Sequence, residues 1–342
     1  MTAMPSPTLA EPEDVRAVRD WLKGRARILV LTHERPDGDA YGALCGALLA
    51  LREAGKECLG YLKLPLPQRY ARVLPPVPEL ILGTPLPRTG LDGIVCLDVT
   101  GLERVERPAG IDANFNGLPL CVIDHHADHT RFGQTEWVDA RQAATCQMLL
   151  HLLRDARGRV SPPVAACLLT GLLMDTGGFR FANAGAGVLR DAAALVDAGA
   201  DLHGLMTSLF LRESLGRRRL EARLLAQAVS LHGGRVLYSV LTPHLLAEFG
   251  VPPQDTEGLI DVLRGIEGVD IACLVQPEPG AVRLSLRSQN SACPVNGIAR
   301  QLGGGGHVLA AGARLPDVNV AQAVTALTEE TRKVLGREAV GG

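Results

Sequence analysis

The sequence predicts an α/β protein, with a larger parallel-sheet domain followed by a smaller α/β domain. Three observations carry this prediction. Short apolar runs at Arg27 to Leu31, Glu57 to Leu62, Gly93 to Asp98 and Leu120 to Asp124 read as strands. Helical patterns separate them, as the crossovers of a parallel sheet require. At 342 residues, the chain also exceeds what one core normally holds.

Taken in order, Glu13 to Lys23 has helical spacing and leads into the strand Arg27 to Leu31. That strand stops at Thr32. A loop punctuated by Pro36 and Gly38 carries His33, Asp37 and Asp39, and a small-residue helix runs from Ala40 to Ala54. Pro65 to Pro87 reads as an irregular connection. The strands Gly93 to Asp98 and Leu120 to Asp124 both end in an acid, and the second runs on into His125 and His126. Ala143 to Leu153 and Pro163 to Met174 are apolar enough to be buried helices, and Leu189 to Leu231 reads as helical throughout. The division is therefore residues 1–190, a helical connector over 191–231, and a second domain over 232–342. In the last, strands at Arg235 to Leu241, Val269 to Gln276 and Ala281 to Arg287 accompany a helix near Thr256 to Ile266. Two helices flank Gly303 to Gly306, one beginning near His307.

Bulk properties narrow the function. Lysine plus arginine number 35 against 37 acids, a formal net charge of −2, which argues against gripping long nucleic acid through many phosphates. Aromatics make up only 4% of residues, too few for a long stacking platform. The eight cysteines form no CxxC pair and several sit in apolar runs, so a reducing, cytoplasmic setting is expected. The first dozen residues lack the basic start and apolar core of a leader, and no apolar run approaches the roughly 20 residues of a membrane span.

The chemistry-bearing residues follow strand ends, where parallel sheets gather ligands. They are His33, Asp37, Asp39, Asp98, Asp124, His125 and His126, joined by Asp175 in MDTGGFR. A single aspartate after a strand is ordinarily a cap or turn residue; the joint pattern is not so easily explained. Several carboxylates meeting at one rim repel each other unless cations neutralise them. Oxygen and nitrogen ligands without thiolate suit a divalent ion of intermediate hardness. Two ions sharing Asp98, roughly 3.5–4 Å apart, would clamp a phosphoryl centre, and hydrolysis of a phosphate ester follows. In the second domain Arg287 offers a planar fork for phosphate, and the glycine run before His307 can expose backbone N–H groups to an anion. Arg180 is a further phosphate candidate, His129 is a weak site candidate by its closeness to the Asp124-His125-His126 run, and Arg217 to Arg219 read as a solvated helix face.

These motifs resemble the DHH phosphoesterase superfamily, named for the triplet found here as Asp124-His125-His126. The resemblance extends over His33-Glu34-Arg35-Pro36-Asp37-Gly38-Asp39-Ala40, Leu97-Asp98-Val99-Thr100 and Asp175-Thr176-Gly177-Gly178-Phe179. Ser285-Leu286-Arg287-Ser288 and Gly303-Gly304-Gly305-Gly306-His307 are similar to the accessory DHHA1 domain. With this length and two domains, the chain is most similar to the nanoRNase/pAp-phosphatase branch, which is RecJ-like. The resemblance implies two Mn²⁺ ions, with Mg²⁺ or Co²⁺ as substitutes, and an active site in the cleft between the domains. One ion would be held by His33, Asp37 and Asp98, the other by Asp39, Asp98, His125 and Asp175. His126 would face the scissile phosphate and Asp124 would orient its neighbours. Arg287, Ser288, Gly304, Gly305, Gly306, His307 and Arg180 would contact substrate. Ala43 and the Asp98-Val99-Thr100 spelling depart from the common pattern without removing a ligand.

The implied activity is hydrolysis of short oligonucleotides from an end and of 3′-phosphoadenosine 5′-phosphate (pAp). A homodimer is common in the branch, and neither membrane nor long-duplex binding is expected. The alternatives are a cyclic or linear dinucleotide phosphodiesterase and a RecJ-like single-strand exonuclease. A non-enzymatic nucleotide-binding module would be signalled by a lost ligand, and none is lost. An inorganic pyrophosphatase would share the first domain's motifs but not the GGGGH tail.

Overall fold

The computed structural model describes residues 12–83, 86, 90–112, 114–155 and 158–338. The reading of the first residues as lacking a leader, and part of the Pro65 to Pro87 connection, fall outside that set. Two compact units divide the chain, Met1–Leu211 and Arg212–Gly342. The stretch 191–231, read as a connector, is shared between them at this division.

The first unit has a fully parallel six-stranded sheet: β1 (Arg27–Leu31), β2 (Glu57–Leu62), β3 (Leu80–Leu82), β4 (Gly93–Leu97), β5 (Leu120–Asp124) and β6 (Thr135–Val138). Their order is β3-β2-β1-β4-β5-β6. The chain builds outward from β1 on one side and resumes at β4 on the other, so β1 and β4 flank the topological switch point. Strands β3 and β6 escape the sequence reading because one lies in the proline-rich connection and the other is a four-residue edge.

Among the described residues, seven α-helices belong to this unit: α1 (Glu13–Lys23), α2 (Gly38–Glu53), α3 (Gln68–Ala71), α4 (Thr145–Leu153), α5 (Pro162–Asp175), α6 (Ala186–Asp197) and α7 (Leu202–Met206). Alternate strand residues face two different cores, as the period of 2 demands. Ile28, Val30, Val95, Leu97, Cys121 and Ile123 join the core built with α1, α2, α4 and α5. Leu29, Leu31, Ile94, Cys96 and Val122 pack instead on Val99, Val105 and Phe115. This second cover is irregular chain with two 3₁₀ turns, Leu102–Arg104 and Phe115–Gly117, where a full helical layer would be ordinary in a three-layer domain. All eight cysteines are buried thiols, and no helix among the described residues is long and apolar enough to cross a membrane.

The helix pair α2 and α5 approaches through glycines. A Cβ at Gly42 would lie 2.5 Å from the Cys167 carbonyl oxygen, and one at Gly171 would lie 2.5 Å from Asp39 Oδ1. This close packing seats Asp39, on the first turn of α2, against α5.

The second unit contains α8 (Leu215–Ala226), β7 (Val229–Leu231), β8 (Val236–Val240), α9 (Pro243–Glu248), α10 (Asp261–Arg264), β9 (Ile271–Glu278), β10 (Ala281–Ser288), α11 (Val295–Gln301), β11 (Gly305–Gly306), β12 (Ala310–Pro316) and α12 (Val320–Glu338). Its sheet has the order β11-β12-β10-β9-β8-β7. All neighbours are antiparallel except β8 and β9.

Three expectations require correction here. Leu189 to Leu231 is not helical throughout, because α6, α7 and α8 are separate helices and β7 closes the stretch. No helix begins near His307. Gly305 and Gly306 pair with Gly312 and Ala311, and His307 and Ala310 exchange backbone hydrogen bonds of 2.8 and 3.2 Å across a tight turn. The glycines therefore serve close strand pairing: a Cβ at Gly304 would lie 2.0 Å from the Gly312 carbonyl oxygen. Nor is Arg217 on a solvated face. It is buried, lies 3.2 and 3.3 Å from Glu213 and Glu221, and donates to the carbonyls of Asp255 and Glu257.

The glycine contact gives a direct test of the α2–α5 packing. Gly42→Ala should destabilise the protein by about 1–3 kcal/mol, as overpacking against backbone does. Gly187→Ala, on α6 where an added Cβ meets no heavy atom within 4 Å, should instead leave stability unchanged or raise it by up to about 1 kcal/mol. Urea unfolding of both variants makes the comparison.

Candidate metal centre

The switch point sets where the site forms. His33 follows β1, Asp98 follows β4, and Asp124 to His126 end β5, all at the carboxyl edge of the sheet. Two helices complete the rim: α4 points its N-terminus at Asp39, and Asp175 is the last residue of α5.

Asp98 is the most constrained member. It is buried and has φ of 59°, in the left-handed region that a non-glycine side chain enters only when its surroundings impose it. Its amide donates to the Ile123 carbonyl at 3.0 Å, so β5 holds the turn in place. Around its carboxylate lie His33 Nε2 at 3.7 Å, His125 Nε2 at 3.5 Å, His126 Nδ1 at 3.6 Å and the Thr145 hydroxyl, which donates at 3.1 Å.

The loop after β1 is tied on both sides. Asp37 caps α2 by accepting from the amides of Asp39 and Ala40 at 3.1 and 3.2 Å, which starts the helix at Gly38 instead of Ala40. Asp37 is thus the cap that a lone aspartate usually is, and it stands in the cluster as well. Asp39 is buried and receives two amides from the first turn of α4, Thr145 N at 2.6 Å and Cys146 N at 3.0 Å. A helix N-terminus favours a carboxylate there.

Both imidazoles of the cluster are oriented alike. His33 Nδ1 lies 2.8 Å from the Glu34 carbonyl and His125 Nδ1 lies 3.3 Å from that of Gln142. A carbonyl can only accept, so these contacts place a proton on Nδ1, and only the neutral ring then carries its lone pair on Nε2. The Nε2 atoms face carboxylates, with His125 Nε2 at 3.1 Å from Asp175 and 3.8 Å from Asp39. Lone pairs aimed at carboxylates are unfavourable without a cation or protons between them, and backbone-anchored imidazoles of this kind are the usual metal-ligating arrangement.

The titration behaviour expresses the same crowding. Burial, then the charges of Asp98 and Asp175, push the Asp39 carboxyl well above its usual range. Burial raises Asp175 to about 6 despite the hydrogen bond from His125. Asp98 goes the other way: burial opposes ionisation, but the hydrogen bond with His33 and the charges of His126 and His125 hold it low. His33 and His125 are raised in turn, burial being outweighed by the neighbouring carboxylates.

Among the described residues of the first unit, three compact donor sets result, His33-Asp37-Asp98, Asp39-His125-Asp175 and Asp98-Asp124-His126, each with ligand atoms within 4.8 Å of one another. Oxygen and imidazole donors of this kind fit divalent ions such as Mn²⁺. Asp124, in the third set, has both oxygens taken up by imidazoles. It is fully buried, and its oxygens meet His126 Nδ1 at 2.7 Å and His129 Nδ1 at 2.8 Å.

The other substrate candidates have these settings. Arg180 is exposed, donates to the Gly177 carbonyl and stacks its guanidinium over Phe210 at 5.3 Å. In the second unit, Arg287 on β10 lies opposite Ala310, whose backbone pairs with His307; Arg287, Gly306 and His307 therefore share one end of the sheet. Ser288 is buried and its hydroxyl donates to the Asn290 carbonyl at 2.8 Å, a turn-forming role. Thr145 went unread in the sequence, since no motif marks it; its place in the site arises from where α4 begins.

Comparisons with known proteins agree with this picture. Residues 27–172 match the DHH family, N-terminal domain, and residues 233–335 match the DHHA1 domain. The chain is 34% identical to the bifunctional oligoribonuclease and PAP phosphatase NrnA of Thermus thermophilus, over 95% of both chains. It is 28% identical to the Bacillus subtilis protein of the same name, covering 84% of this chain and 89% of that one. In fold, it is similar to an exopolyphosphatase-related protein from Bacteroides fragilis, with a TM-score of 0.80 at 22% identity, covering 96% and 98% of the two chains. The chain therefore belongs to the DHH family, with a DHHA1 domain in its C-terminal part.

Proposed function

We propose that this protein is a Mn²⁺-dependent phosphoesterase that hydrolyses short oligonucleotides from an end and removes phosphate from pAp. The observation that carries this reading is the pair of oxygen and imidazole donor sets at the carboxyl edge of β1 and β4, one containing Asp98 and the other reaching to 3.5 Å of it through His125 Nε2. The relatives named for oligoribonuclease and PAP phosphatase activity, matched over nearly the full chain, support the substrate class.

In this reading His33, Asp37 and Asp98 hold one ion, and Asp39, Asp98, His125 and Asp175 hold the second. When bound, such a pair activates water at neutral pH and offsets negative charge on the phosphoryl group. The protein's own residues do the rest. Thr145 and the first turn of α4 fix the directions of Asp98 and Asp39. Asp124 accepts from His126 Nδ1, which leaves His126 Nε2 to meet the phosphate or leaving oxygen. In the second unit, Arg287 and the Gly306-His307 turn grip a terminal phosphate. Arg180, propped over Phe210, serves as a further phosphate contact. Chain ends and mononucleotides are favoured because the near-neutral charge supplies no long track for a polyanion.

A substrate panel of pAp, labelled di- to pentanucleotides, a 24-mer and a cyclic dinucleotide, assayed in Mn²⁺, tests the proposal. Turnover should fall from the dinucleotide to the 24-mer, with pAp also cleaved; preference for the 24-mer or the cyclic compound would contradict it. Asp98→Asn should lower kcat by about 10²–10³-fold, the usual loss when one charge-stabilising group is removed from such a site. Near-normal turnover would remove Asp98 from its bridging role. Arg287→Ala should raise KM for pAp by about 10-fold or more, the loss of a charge-assisted hydrogen bond, while Mn²⁺ stoichiometry stays unchanged.

A further inference from the structure

The loop between β5 and β6 contains, beyond the two histidines of the triplet, a third whose surroundings are as built as theirs. The His129 side chain is only 3% exposed. Its Nδ1 lies 2.8 Å from Asp124 Oδ2 and 3.1 Å from the Val99 carbonyl. Both are acceptors, so Nδ1 carries the proton and donates. Its Nε2 lies 3.6 Å from Glu136 Oε1, and its ring stacks on Phe132 with centroids 5.5 Å apart. Glu136, on β6, is itself anchored by the amides of Phe132 at 2.8 Å and Gly133 at 2.6 Å and by the Arg131 guanidinium at 3.0 Å.

The consequence falls on Asp124. Its carboxylate is fully buried, and its two oxygens are divided between two imidazoles, Oδ2 with His129 and Oδ1 with His126. A carboxylate with one partner can rotate about χ2; one pinned at both oxygens cannot turn without breaking a buried hydrogen bond. His129 thus decides where Asp124 Oδ1 points. That oxygen in turn fixes the plane and the tautomer of His126, whose side chain is 15% exposed and lies 3.6 Å from Asp98.

We propose that His129, set in place by Glu136 and Phe132, is a positioning residue for His126, acting through Asp124. The inference rests on the reading above in one respect, that His126 Nε2 meets the reacting phosphate.

The experiment uses the full chain. His129→Phe keeps the ring stack and removes the donor, whereas His129→Asn restores an N–H within reach of Asp124. Three readouts are taken: kcat and KM for pAp in Mn²⁺, bound Mn²⁺ per chain, and the ring ¹⁵N signals of His126 in Mg²⁺-loaded protein. The Phe variant should lose about 10–100-fold in kcat with KM within about 2-fold, the scale of losses for groups that orient an active residue. Its Mn²⁺ stoichiometry should not change, and His126 should pass from a single Nδ1–H tautomer to a mixture. The Asn variant should recover most of the rate and the single tautomer.

An unchanged kcat with an unchanged His126 signal in the Phe variant would overturn the proposal. Loss of Mn²⁺ would overturn it too, because Asp124 would then be serving the metals. Should the Phe variant fail to fold, Glu136→Gln carries the test: it should shift the His126 signal in the same direction with a smaller rate loss, and no shift overturns the proposal. If the wild-type protein does not cleave pAp but the His126 signal responds as described, the positioning stands and the substrate reading falls.

Discussion

Like-charge crowding in a buried rim is the constraint on which the rest of this structure depends. Asp39, Asp98 and Asp175 come together with His33 and His125 where water is scarce, and burial raises Asp175 to about 6. Such a group of acids is a liability to folding unless something positive is meant to enter it. The architecture accepts that cost at the carboxyl edge between β1 and β4, where the strand order reverses. The left-handed backbone of Asp98 is a second local cost at the same point. Both are held by surrounding order: the Ile123 carbonyl on the Asp98 amide, the Thr145 hydroxyl on its carboxylate, and the first turn of α4 on Asp39.

Packing and chemistry are linked through glycine. Helices α2 and α5 meet at Gly42 and Gly171, and the closeness of that meeting is what brings Asp39 against α5 and within reach of α4. A larger residue at Gly171 would meet Asp39 itself, so the helix pair cannot be loosened without moving a candidate ligand. The fold's core and its functional rim are therefore the same set of contacts seen from two sides.

Much of this was legible in the sequence, for physical reasons. β1, β2, β4 and β5 are apolar runs because they are covered on both faces, so their ends, and the acids and histidines placed there, could be found from hydrophobicity alone. Asp37 and Asp39 were visible as acids flanking Gly38, and Asp175 as the acid of the MDTGGFR motif. What was not legible depends on tertiary contact. Thr145 gains its place only because α4 begins beside Asp39, and His129 matters only because Asp124 has a second oxygen to satisfy. β6 is too short and too mixed to announce itself, yet it carries Glu136. The glycine run before His307 misled the reading: glycine at a helix start and glycine in a tightly paired strand look the same in sequence, and here strand pairing with β12 decides. Arg217 to Arg219 likewise read as a solvated run, although Arg217 is buried between two glutamates and the carbonyls of Asp255 and Glu257.

We propose that this acid cluster holds two cations sharing Asp98. Anomalous diffraction from crystals grown with Mn²⁺ measures that most directly. The account predicts two peaks on the first unit, one against His33 and Asp37, the other against Asp39, His125 and Asp175, with the Asp98 carboxylate between them. A single peak, or peaks that leave Asp98 out of contact with both ions, would contradict it.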